Sequence, residues 1–231
     1  MGVGKMDVES PLKGWPPTSQ LQGQPGFRIE ARHLTARRAN FTDYVCGFVN
    51  LGALILLGWL FFSQHLTGGQ PFLIAFGIFL AFCFLTWGTR RIWGTALFGK
   101  MTIVQFEPAR IMLMTHGAFR NYDAKLPHEF DFRIHDEAEK EQERAIEKYQ
   151  RAQRQGNEFK DEKYFRNSFH IIFRYAGQRI DVADVYERKP AEALLVRLQL
   201  LDQLMSAARG DTTTPVYAES DQQYGERPDA G

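Results

Sequence analysis

Residues 44–62 and 71–89 are two runs of about nineteen residues each without a single charged side chain. At ~1.5 Å rise per residue, each predicts a helix about 28 Å long, close to the ~30 Å hydrocarbon core of a bilayer. Only residues 63–70 separate them, so the pattern predicts a transmembrane hairpin that crosses and returns. Such a hairpin sets where the chain lies and how it is oriented.

The overall composition conceals this organisation. A mean hydropathy of -0.33 and 24% charged residues suit a soluble protein, but they average an apolar hairpin with polar flanks. Setting aside the hairpin and the polar termini leaves roughly 110 residues, the usual size of one domain. A net charge of +1 lacks the basic excess of a nucleic-acid binder. Cys46 and Cys83 are the only cysteines, and both lie in the apolar runs, so the polar part has no disulfide framework. We read both as free thiols acting as small apolar residues. The apolar run starts too late and runs too long for a signal peptide, and Met6 stands where a myristoylation motif needs Ser or Thr.

Charge asymmetry orients the hairpin. Arg28, Arg32, Arg37 and Arg38 precede it and Arg90, Arg91 and Lys100 follow it, whereas residues 63–70 carry no Lys or Arg. The positive-inside rule then predicts a multi-pass protein of the cell inner (cytoplasmic) membrane with both termini cytoplasmic. Tyr44, Trp59, Trp87 and Trp93 fall near the helix ends, where amphipathic aromatics favour the headgroup region. Arg37, Arg38, Arg90 and Arg91 form a basic cluster expected to face anionic lipid headgroups, each contributing about 1 kcal/mol at most. Within the hairpin, Asn50 and Gly52 are the expected helix-packing residues, one by hydrogen bonding and one by close approach. Transport chemistry would need ionisable groups at membrane depth, and these runs have none.

From Met101 the apolar period switches from helical to two. Val104 and Phe106, then Ile111 and Leu113, then Phe130, Phe132 and Ile134 alternate with polar residues, as half-buried strands do. Phe169, Ile171, Phe173 and Tyr175 repeat the pattern, and Gly177-Gln178 turns the chain into residues 179–185. A final helix starts near Pro190 and stops at Gly210, with Leu194, Leu198, Leu201, Met205 and Ala208 in one stripe. Residues 136–163 are a charge-dense helical insertion with nine acidic and seven basic residues. Asp136–Lys140 and Glu147–Arg151 are expected i,i+4 pairs there, and Ala138, Ala145, Tyr149 and Ala152 form a thin apolar seam, so the insertion is read either as a solvated helix projecting from the sheet or as one that docks a partner through that seam.

Antiparallel strands closed by one C-terminal amphipathic helix resemble a pleckstrin-homology-like (PH-like) domain. The order resembles the bacterial PH-like family that follows a short transmembrane hairpin. Residues 102–114, 125–134, 169–182 and the 190–208 helix carry the resemblance, which implies a binding or assembly module. The expected organisation is therefore a disordered tail (1–26), a juxtamembrane segment (27–43), the hairpin (44–89), a cytoplasmic α+β PH-like domain (90–209) and a disordered tail (210–231).

Few residues call for chemistry. His128, Glu129, Asp131, His135 and Asp136, with His116 and His170 nearby, are the best catalytic candidates. On one strand, however, His128 and His135 are seven apart and point to opposite faces. No HExxH or paired CxxC spacing, GxSxG elbow or phosphate-binding loop occurs. The sequence thus predicts a non-enzymatic scaffolding subunit of a larger inner-membrane complex, with protein partners, no cofactor, no metal and no nucleic acid. The alternatives are an accessory subunit of a transporter or secretion system, and a metal-dependent membrane hydrolase.

Overall fold

The computed structural model describes residues 15–21, 23, 25–63, 69–115, 117–158 and 164–210. Two strands come first, β1 (Thr18–Gln20) and β2 (Phe27–His33), followed by two long helices, α1 (Ala36–Ser63) and α2 (Gly69–Phe98). Both helices are long and apolar enough to cross a membrane, and both continue about two turns past the charge-free runs on the domain side. The most apolar window of α1 is 6% buried and that of α2 is 0% buried, so neither is the core helix of a globule.

After α2 come β3 (Lys100–Phe106), β4 (Arg110–Thr115), β5 (Ala118–Asp123) and β6 (His128–Ile134). Then follow α3 (Glu137–Gln155), a 3₁₀ turn (Phe165–Asn167), β7 (Ser168–Tyr175), β8 (Gln178–Tyr186) and α4 (Arg188–Arg209). The strands form two antiparallel sheets, β1-β2-β3-β4-β5 and β6-β7-β8.

The pairing of β2 with β3 decides the architecture. They match along their whole length, from Phe27↔Phe106 to His33↔Lys100, so the helical hairpin is spliced into the connection between two paired strands. This corrects the expected boundaries. Residues 27–33 are part of the sheet rather than a juxtamembrane linker, residues 90–98 belong to α2, and Thr18–Gln20 of the supposed N-terminal tail pairs with β2. Of the expected tails, residues 1–14, 22, 24 and 211–231 lie outside the described residues, and Gly210 belongs to the end of the last helix.

Two glycines let the helices meet the sheet. A Cβ on Gly94 would lie 2.5 Å from Thr42 Cγ2, and one on Gly99 would lie 2.2 Å from the Thr95 carbonyl oxygen and 2.5 Å from Arg32 Cγ. Only a hydrogen fits at either place. Gly52, by contrast, faces open space, so the close approach expected there occurs instead at Gly94, near the foot of the hairpin.

One core joins both sheets and α4. Ile29, Val104, Phe106, Ile111 and Leu113 come from the first sheet, and Phe130, Ile171, Phe173 and Val185 from the second. Leu194, Leu198, Leu201 and Met205 of α4 join this same core, while Ala208 of the expected stripe is exposed. Gly210 closes α4 in the left-handed conformation at φ 73°, which costs glycine little. At the other end Glu187 also takes positive φ, 73°, and its N–H bonds the Asn167 carbonyl oxygen at 2.6 Å. The β7–β8 loop is Ala176-Gly177, both at positive φ as a type I′ turn requires, one residue earlier than the sequence suggested.

Candidate functional site at the foot of the helical hairpin

One concentration of polar side chains lies where α1 and α2 meet the sheets. Asp43 on α1 is the centre of this junction. Its carboxylate accepts hydrogen bonds from Arg90 Nε at 3.0 Å, Arg91 Nη2 at 3.1 Å and the Tyr164 hydroxyl at 3.0 Å. Arg91 continues into the domain. Its Nε stands 3.4 Å from a Glu187 carboxylate oxygen, an ion pair without hydrogen-bond geometry, and its guanidinium lies 4.7 Å from the centre of the Tyr186 ring. Burial is the main reason the Tyr186 hydroxyl titrates above its ordinary range. The Tyr186 N–H bonds the Leu34 carbonyl oxygen at 2.7 Å, tying the end of β8 to the turn before α1.

Arginines also close the open end of α2. Arg38 Nη1 donates to the Phe98 carbonyl oxygen at 2.7 Å and Arg32 Nη1 to that of Ala96 at 2.8 Å. Cations there satisfy carbonyls left without helical partners and complement the helix dipole. Of the expected lipid-facing cluster, Arg38, Arg90 and Arg91 are therefore engaged within the protein. Arg37 is exposed, with no intramolecular partner among the described residues.

Deeper in the hairpin, Asn50 joins the helices, as its Oδ1 accepts a hydrogen bond from Thr86 Oγ1 at 2.8 Å. The seam on α3 is split. Ala138 and Ala145 are buried, and the Glu141 carboxylate accepts the Tyr164 and Arg166 N–H groups at 2.9 Å each, so this side of α3 is docked within the chain. Ala152 is half-buried, whereas Tyr149 is 52% exposed beside the equally exposed Ile146. Lys140 pairs with Glu137 rather than Asp136, whose carboxylate lies with Arg133 and Arg179 instead; Glu147–Arg151 forms at 3.9 Å.

The histidines separate into three environments. His128 sits at the far end of β6, in a cleft of about 570 Å³ lined by Lys125, Glu129, Arg174, Ser206 and Arg209 among others. Its Nδ1 donates to the Leu126 carbonyl oxygen at 2.7 Å and its Nε2 to Asp202 Oδ1 at 2.9 Å. Facing two oxygen acceptors favours the ring with both nitrogens protonated. Burial alone would lower its pKa, but the Asp202 carboxylate and the Leu126 carbonyl outweigh it and raise it.

His33 is the opposite case. It is buried at the foot of β2, its ring nitrogens meet no hydrogen-bond partner of good geometry among the described residues, and burial with Lys100 across the ladder lowers its pKa to about 4.

The third group is His135, His170 and Asp184. His170 Nδ1 donates to Asp184 Oδ1 at 2.5 Å, and the His135 ring stacks on His170 at 4.2 Å between centroids. Burial, then the neighbouring His170, lowers the His135 pKa; the His170 hydrogen bond holds Asp184 below the ordinary carboxylate range. One donor atom from each of the three lies within 4.8 Å of the others. His128 and His135 are separate, as the strand spacing requires, and Glu129 and Asp131 pair with Arg174 elsewhere. His116 lies outside the described residues.

Asp184 is absent from the sequence-level candidates for a specific reason. A regular ladder leading from the Ala176-Gly177 turn would place Ala183 opposite His170. A bulge at Val182 shifts the register, so that Ile172 pairs with Asp181, Ile171 with Ala183, and His170 with Asp184.

No protein-family model, curated protein or solved structure matches the chain.

Proposed function

We propose that this chain is a non-enzymatic, membrane-anchored assembly module in which α1 and α2 cross the bilayer and return, with both termini cytoplasmic. The observation that supports it most is the splicing of the hairpin between β2 and β3, clamped by Asp43, Arg90, Arg91 and Tyr164. A flexible tether would let the domain tumble. A hairpin growing out of a sheet ladder gives the domain one orientation to the bilayer, which suits presenting surfaces to other subunits. The outward side of α3, with Ile146 and Tyr149 exposed, is one such surface. The resemblance to PH-like modules behind a short hairpin favours binding over catalysis.

Two measurements test the reading. In a chain lacking Cys46 and Cys83, a cysteine at Gly68 should react with an impermeant thiol reagent in intact cells. One at Gln155, which is exposed on α3, should not. Labelling at position 155 would refute the orientation. Extraction in mild detergent should recover the chain with other membrane subunits; a monodisperse monomer would refute the assembly role.

A further inference from the structure

The His135, His170 and Asp184 group has no part in the clamp or in the outward side of α3. We propose that these three residues bind a divalent transition metal of the zinc class at the foot of the three-stranded sheet. The proposal does not depend on the membrane reading, because it rests on sheet geometry alone.

The donor set suits such an ion. Two imidazoles and a carboxylate are borderline ligands of the kind zinc takes. On a tetrahedral zinc with bonds of about 2.0–2.1 Å, donor atoms stand about 3.3 Å apart. The three donors here lie within 4.8 Å of one another, and closing the site requires the His135 ring to turn out of its stack on His170. Their backbones are set by the ladder: His170 and Asp184 are direct cross-strand partners, and the His135 N–H bonds the Ser168 carbonyl oxygen at 2.9 Å.

His135 Nδ1 carries no proton, since it accepts the Glu137 N–H at 3.1 Å, and an ion bound there displaces that N–H. His170 Nδ1 and Asp184 Oδ1 already face each other at 2.5 Å, so the ion enters between them in place of the shared proton, and the ring proton moves to Nε2. A ligating histidine whose other nitrogen donates to a carboxylate is a recurrent zinc arrangement, since that bond orients the ring and raises its basicity. Asp136 Oδ2, 3.8 Å from His170 Nε2, is a further carboxylate beside the site, though Arg133 and Arg179 hold it from the other side. His170 is buried while His135 and Asp184 are half-exposed, which leaves one face open for the ion and a completing water.

The test uses the untagged full chain in detergent, stripped with a chelator and titrated with zinc by calorimetry and with cobalt(II) by visible absorption. We expect one saturable zinc per chain and a cobalt d–d band showing nitrogen and oxygen ligation. Asp184→Asn and His135→Gln, with folding checked by hydrogen exchange, should each weaken zinc affinity by about tenfold or more. His128→Gln, at the opposite end of β6, should leave it unchanged. Absence of saturable binding, or equal affinity in the wild type and a folded His135→Gln/Asp184→Asn double variant, would overturn the proposal.

Discussion

Replacing Leu198 by alanine probes whether α4 closes the core or docks a partner. The side chain is 0% exposed, within the core shared by both sheets and α4. Removing three carbons forfeits about 2.4 kcal/mol of transfer free energy at ~0.8 kcal/mol per methylene. Incomplete collapse of the resulting cavity raises the expected total to as much as ~5 kcal/mol. A domain of ordinary stability has only about 5–15 kcal/mol in all. Leu204 provides an internal control, being on the same helix but 41% exposed, so its truncation should cost well under half as much.

The assay is amide hydrogen exchange on the full chain in detergent, following the slowest amides of β3, β7 and α4, which report global opening. At ~1.4 kcal/mol per factor of ten, Leu198→Ala should accelerate them roughly fifty- to several-thousand-fold. Exchange within about threefold of wild type, or a larger effect from Leu204→Ala, would refute the assignment of α4 as the closing element.

Gly94→Ala should loosen the foot of the hairpin, because its methyl would stand 2.5 Å from Thr42 Cγ2; faster exchange in the first turns of α1 reports it, and Thr42→Ala should restore protection. His33, with a folded pKa of about 4 against ~6.5 unfolded, refuses a proton that the unfolded chain accepts. Its contribution is therefore intact above pH ~6.5 and lost as pH falls from there towards 4, by up to about 3 kcal/mol. Denaturant midpoints across that window should fall with acid in the wild type and fall less in His33→Leu. His128 behaves oppositely: its raised pKa makes its contribution complete below pH ~6.5 and lost as pH rises through the folded value, so His128→Asn should flatten the alkaline side.

Much of the secondary structure was legible because it depends on local patterning. The charge-free runs, the period-two strands from residue 101 onward and the 3.6-period stripe of α4 each announce an element within a short window. Gly210 and the Gly177 turn did so through backbone chemistry that few other residues share. The alternation of Phe27, Ile29, Ala31 and His33 was also present in the sequence, but a strand signal does not name its partner. That partner, β3, lies beyond the whole hairpin, and only the folded ladder shows that the helices are an insertion within a sheet.

Long-range placement decided the rest. Arg38, Arg90 and Arg91 read as headgroup ligands because charge and position near an apolar run are all that a sequence displays. In the folded chain the α2 carbonyl ends and Asp43 come within hydrogen-bond reach and engage them. The histidine–aspartate group turns on still less, a single unpaired residue in β8. The side-chain period of a strand is two, so one bulge at Val182 exchanges Ala183 for Asp184 opposite His170. Residue types and their period are properties of the sequence, whereas register and the company each charge keeps belong to tertiary structure, where the free energies of distant segments are settled together.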